Sequence, residues 1–155
     1  MSFELEVPFE TEEGYQYIVS FREFPPNQTD YKIPLIDISI TLVSSNIETN
    51  SLKTLNKFIS IVLEYLEQND VIIYYYCDTA PIKIRNNRKE NYSNQEFRFN
   101  LFLMMFNRMK SNSFYLQPVI ITDNEKGNHY TSLISKTVNQ DKVELVRVDL
   151  EKFNK

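Results

Sequence analysis

Along "YQYIVSFREF", Tyr15, Tyr17, Val19 and Phe21 alternate with more polar neighbours, the period-2 signature of a half-buried strand. The preceding "FELEVPF" is separated from it by "ETEEG", a polar stretch ending in Gly14, and the two runs predict a β-hairpin. "FPPNQTDYK" is predicted as a loop, because two prolines cannot donate to a ladder. In "IPLIDISITLV", residues 33–43, Ile36, Ile38, Ile40 and Leu42 share one face, while Asp37, Ser39 and Thr41 take the other.

Residues 51–68, "SLKTLNKFISIVLEYLEQ", switch to the helical period. Leu52, Leu55, Ile59, Val62, Leu63 and Leu66 make one stripe, with Lys53, Lys57, Glu64 and Glu67 largely off it. "VIIYYYC", residues 71–77, lacks alternation and is too short for a helix, which predicts a central strand covered on both faces. Strand, helix and strand at this spacing predict a right-handed βαβ unit that pairs 33–43 in parallel with 71–77.

A second helix is expected from near Ser93, where "SNQE" fits a capping box of Ser93 and Glu96. Its body is apolar nearly all round. Phe97, Leu101, Met105 and Met109 line one face, and Phe99, Phe102, Leu103 and Phe106 fill much of the rest. Such a helix is deeply buried or has one face in a partner. "FYLQPVIITD" and "HYTSLISKTV" predict a hairpin across "NEKGN", and "VELVRVDL", residues 143–150, is read as an optional last strand. The predicted fold is α+β in the order βββ-α-β-α-ββ(β), a mixed, mainly antiparallel sheet with two helices packed on it. The chain, 1–155, is read as a single domain.

Composition removes several chemistries. Two glycines, Gly14 and Gly127, are too few for a Walker-type loop or a dinucleotide fingerprint, whose backbones must approach phosphate oxygens. One cysteine, Cys77, excludes an internal disulfide, and one histidine, His129, excludes the usual multi-histidine metal centres. No cofactor is expected. The N-terminus has neither the basic nor the apolar region of a signal peptide, and no run approaches the ~20 apolar residues that span a bilayer. A cytoplasmic protein without membrane attachment is the simplest reading. A net charge of -4 gives no global attraction to nucleic acid.

The Tyr76-Cys77-Asp78 string, followed by Arg98, Leu101, Phe102 and Phe106, resembles an uncharacterised domain family common in Bacteroidetes. Its members carry a strand ending Tyr-x-Cys-Asp and then a helix with Arg-x-x-Leu-Phe-x-x-Trp-Phe. "FETEEGYQYIVSF" and "HYTSLIS" extend the resemblance over most of the chain, while Met105 replaces the family's Trp. The resemblance implies a fold and a bacterial origin, and no activity. The element order is also similar to the GCN5-related acetyltransferase fold. Where those enzymes place a glycine-rich cofactor loop, this chain has "SSNIETNSLKT", with no glycine and no arginine. That similarity implies an acetyltransferase-like core without its cofactor loop.

Candidate residues gather after the central strand. Cys77 and Asp78 lie at its C-terminal end, where such sheets tend to place ligands. A thiolate there would need His129 as base, and His129 is expected at a hairpin tip, exposed and idle. Arg98 enters a greasy helix and needs a carboxylate: Asp78 in the structural reading, an anionic ligand or partner in the functional one. Lys83, Arg85, Arg88 and Lys89 form the basic run of a long loop on an acidic chain, either a solvated loop or a grip on a phosphate backbone or acidic protein. Glu4, Glu6, Glu10, Glu12 and Glu13 are read as the wet face of the first strands, with a basic partner as the alternative.

The leading functional expectation is a non-enzymatic bacterial binding module that docks another protein. Immunity or antitoxin-like action is one form of it and homodimerisation another. The first alternative is a divergent acetyltransferase-like enzyme with a tyrosine such as Tyr130 as acid. The second is a nucleic-acid-associated protein acting through residues 83–89.

Overall fold

The computed structural model describes residues 4–10, 14, 16–24, 31–42, 52–76, 94–122 and 129–152. Strands β1 (Leu5–Glu10), β2 (Gln16–Glu23) and β3 (Leu35–Leu42) precede helix α1 (Leu52–Gln68), strand β4 (Ile72–Tyr76) and helix α2 (Asn94–Met109). Strands β5 (Phe114–Ile121) and β6 (His129–Lys136), a 3-10 turn (Thr137–Asn139) and helix α3 (Gln140–Lys152) complete them. The fold is α+β, with one mixed sheet in the order β1-β2-β3-β4-β6-β5. The expected parallel pair is β3 with β4, Leu35 opposite Ile72 and Ile38 opposite Tyr75. All other neighbours are antiparallel.

Hydrophobic alternation decides which residues face which layer. Val7 and Phe9 of β1, Val19 and Phe21 of β2, Ile36 and Ile38 of β3 and Ile73 of β4 belong to a core shared with α1 and α2. Phe58, Ile59, Val62, Tyr65 and Leu66 of α1 are buried there, so the aromatic positions 58 and 65 widen the aliphatic stripe visible in the sequence. Phe21 stacks on Tyr65 with ring centroids 3.9 Å apart. Phe58, Tyr75, Phe102 and Phe106 continue the aromatic contact from α1 through β4 to α2. Each such fully buried ring or aliphatic side chain contributes roughly 1.5–3 kcal/mol. Burial therefore answers the nearly all-round apolar pattern of α2: Phe99, Phe102, Met105 and Phe106 are in the interior, and of its large apolar side chains Met104 is exposed. No helix among the described residues is long and apolar enough to cross a membrane.

The turn between β1 and β2 uses Gly14 at φ +92°. A Cβ there would meet no atom within 4 Å, so the glycine answers a backbone demand rather than crowding.

Residues 143–150 correct the expectation of a closing strand: they form the body of α3, so three helices, not two, pack on the sheet. "VELVRVDL" satisfies both periods, because Val143 and Leu145 alternate while Val143, Val146 and Leu150 fit one helical face. Tertiary contacts and side-chain pairing select the helix. Val143 and Val146 are buried against Ile72, Val119, Ile121 and Leu133 on the second face of the sheet. Arg147 pairs with Glu144 and Glu151 at helical spacing on the exposed side. Both ends of the helix region are also tied down. The Asn139 amide donates to Asp70 at 2.7 Å, and the Tyr31 hydroxyl donates to Asp149 at 2.6 Å.

Candidate functional site

The two faces of the sheet are covered unequally. One carries α1 and α2. On the other, α3 packs over β5 and β6, and among the described residues nothing shields the outer part of β1, β2 and β3. Because Val7, Val19 and Ile38 point to the α1 side, their alternating neighbours define this second face. Glu4, Glu6, Pro8 and Glu10 come from β1 and its start, and Gln16, Ile18, Ser20 and Arg22 from β2. Asp37, Ser39 and Thr41 come from β3. Glu4, Glu6, Pro8, Glu10, Gln16, Arg22, Ser39 and Thr41 are all exposed.

The face is acidic. Against the carboxylates of Glu4, Glu6, Glu10 and Asp37, Arg22 is the one cation among its described residues. Arg22 is opposite Asp37 in the β2–β3 register, and Glu6 is opposite Ser20 in the β1–β2 register. Burial pushes the Asp37 carboxyl above its ordinary value, and the Arg22 charge pulls it only partly back. The Gln16 amide donates to Glu10 at 3.3 Å.

A polar seam separates this open half from the half under α3. Asp37 is opposite Tyr74, and Tyr76 is opposite Thr131. Burial raises the Tyr74 phenol; the Thr131 hydroxyl beside it works the other way, and Asp37 and Tyr76 raise it further. Phe24 meets the Tyr74 ring edge-on at 5.6 Å. At the end of the seam the Tyr76 hydroxyl and His129 Nδ1 are hydrogen-bonded at 2.9 Å.

That contact corrects the expectation for His129. It is the first residue of β6, half-buried and engaged with Tyr76, rather than exposed and idle at a hairpin tip. Sequence reading missed it because the contact depends on β6 lying beside β4. Tyr130, the acid of the acetyltransferase-like alternative, points to the opposite face, where it is buried with its ring 5.2 Å from Phe99.

Asp78, Lys83, Arg85, Arg88 and Lys89 lie outside the described residues, as do Cys77 and Ser93, the expected cap of α2. Arg98 falls in the early turns of α2, but its side chain is likewise outside them, so the structure neither joins nor separates the expected Asp78–Arg98 pair. Among the described residues no group of three His, Cys, Asp or Glu is placed to hold a metal ion. Comparison with known proteins finds no matching family model, no matching curated protein and no matching solved structure.

Proposed function

We propose that this protein is a non-enzymatic binding module of the bacterial cytoplasm that docks a cationic protein on the open half of its sheet. The unequal covering of the two sheet faces carries the reading. Three adjacent strands make a surface roughly 15 Å wide and on the order of 20 Å long. It is a sheet face rather than a cavity, and small ligands favour concave, largely apolar pockets. A patch of that size falls below the roughly 800 Å² per partner of a standard interface, which suits a transient contact supported by neighbouring residues.

Charge selects the partner. A surface holding Glu4, Glu6, Glu10 and Asp37 against Arg22 repels a phosphate backbone and attracts lysine- or arginine-rich protein surface. It also disfavours a second copy of itself, because a two-fold contact would set glutamate against glutamate. Immunity or antitoxin-like action is one concrete form of such docking. The resemblance of Tyr76-Cys77-Asp78 and the α2 sequence to a Bacteroidetes family supports the bacterial setting. The acetyltransferase-like alternative must find an acid other than Tyr130, whose ring is buried under α2.

Affinity capture from a native bacterial extract tests the proposal, using wild type, Glu6→Lys/Glu10→Lys on the open face and Glu64→Lys/Glu67→Lys on α1. A basic protein held by wild type and the α1 variant, released by salt and lost with the open-face variant, is the expected result. No specific capture, or equal capture by both variants, would overturn it. Thermal stabilisation by acetyl-coenzyme A would favour the enzyme instead.

A further inference from the structure

We propose that Gln117 and Pro118 form an autoinhibitory contact on the outer edge of β5, which stops a second strand from adding to the sheet there. The inference is independent of what the open face binds. In an antiparallel ladder the N–H and C=O of one residue point to the same side, alternately toward the neighbour and away from it. The Pro118 carbonyl accepts a hydrogen bond from the Gln117 side-chain amide at 2.9 Å, at an exposed position, so it points away from β6.

Phe114 has the same parity, and its N–H goes to the Ser111 carbonyl at 3.2 Å rather than to β6. Ser113, of opposite parity, accepts from the Thr137 N–H at 2.8 Å and so prolongs the β5–β6 ladder. The outward groups of β5 are therefore those of residues 114, 116, 118 and 120. At 114 the donor is already used. At 118 there is no donor at all, and the acceptor is filled from within the same strand. The Tyr115 hydroxyl donates to Gln117 Oε1 at 2.7 Å and so directs the amide nitrogen toward that acceptor.

An incoming strand would thus meet Leu116 and Ile120 as isolated bonding positions, with a closed one between them. Ile120 makes the stop consequential. Its side chain is 51% exposed beside that edge, and an apolar, unpaired strand edge is a site for self-association. The other edge of the sheet has a related device. The Phe24 N–H goes to the Leu35 carbonyl, so even-numbered residues of β2 bond β3. Pro8, opposite Ile18, therefore has its missing donor on the outer side of β1, and Glu6 and Glu10 share its parity.

Amide hydrogen exchange followed by NMR, with light scattering over rising protein concentration, tests the proposal on the whole chain. In the wild type, Tyr115, Gln117, Val119 and Ile121 should exchange slowly, and Leu116 and Ile120 quickly. Protection of Leu116 and Ile120 equal to their neighbours would overturn the proposal, because the edge would then be paired. In Gln117→Ala/Pro118→Val the solution mass should rise with concentration above the wild-type value, and Leu116 and Ile120 should slow by about tenfold or more. A variant that melts cooperatively yet keeps the wild-type mass and exchange overturns it as well. If the double variant does not fold, the wild-type exchange pattern decides alone.

Discussion

The hydroxyl of Tyr31 reaches the carboxylate of Asp149 at 2.6 Å across a sequence separation of 118 residues, tying the connection between β2 and β3 to the last turns of α3. Tyr31→Phe keeps the ring and deletes this bond, at an expected cost of about 0.5–1.5 kcal/mol. The alkaline limb carries a second signature. Burial first, then the Asp149 hydrogen bond and charge, push the Tyr31 phenol from 10.0 to about 12. A folded-state pKa raised in this way gives stability that is present below pH 10 and lost as pH rises toward 12. Denaturant melts from neutral to alkaline pH should show that loss in the wild type and a smaller one in the variant. Identical alkaline limbs would show that the phenol does not respond to Asp149.

Asp37 has the opposite neighbourhood to a salt-bridged carboxylate, since burial outweighs the pull of Arg22 and its pKa is raised above 3.8. The sign follows directly. Stability from this group is full below the unfolded pKa and falls as pH rises through the folded value. Asp37→Asn should therefore gain in melting temperature relative to wild type as pH rises from the acid range to neutrality. A variant that loses ground over that range would show that the Arg22 attraction dominates.

The helical assignment of residues 143–150 is testable by two adjacent substitutions. Val146 is 1% exposed and Leu145 is 56% exposed. Val146→Asp buries a carboxylate without a partner and should cost more than about 3 kcal/mol, whereas Leu145→Asp should stay within about 0.5 kcal/mol of wild type. A matching loss in Val143→Asp, buried at the opposite strand parity, marks the helix. Tolerance at Val143, or comparable losses at Leu145 and Val146, would contradict it, and urea melts distinguish the cases.

Ser132 lies midway along β6 with its hydroxyl buried and without a hydrogen-bond partner among the described residues. Ser132→Ala removes a desolvated polar group while leaving almost the same volume. A gain of about 1 kcal/mol is expected from thermal melts. A clear loss would indicate that the hydroxyl is engaged.

Most of the architecture is visible in the chain because period and turn chemistry are local. The alternation of Val19 with Phe21, the stripe through Ile59 and Leu66, and the unbroken run at Ile72 and Ile73 each name an element without reference to the rest. The error at Val143–Leu150 is of a different kind. β-branched residues at both periods leave the choice to tertiary contacts, here Val143 and Val146 on Leu133 and the ties at Asn139 and Asp149. That error also conceals the open face. The glutamates of β1 are legible as a polar edge, but only the position of α3 shows which half of the sheet stays uncovered. The Tyr76–His129 contact is hidden for a similar reason, since β6 rather than β5 lies beside β4. Asp78, the basic run 83–89 and the Arg98 side chain fall outside the described residues, so their expected roles stand as expectations.

The strand order has a consequence for how the chain reaches this state. β1, β2 and β3 join neighbours in sequence, and so do β5 and β6, whereas β4 pairs Ile73 with Ile134 and Leu35 with Ile72 across long intervals. Closing those intervals carries the larger loop entropy, so it falls late in folding. Two locally formed hairpin regions would then be joined by the arrival of one short, very apolar strand. Pulsed hydrogen exchange during refolding should accordingly protect the backbone amides of Val19 and Val119 in the hairpins before those of Ile73 and Tyr75. In kinetic terms β4 is the keystone: substitutions in it should mainly speed unfolding, whereas equally destabilising ones in the early hairpins should slow folding more.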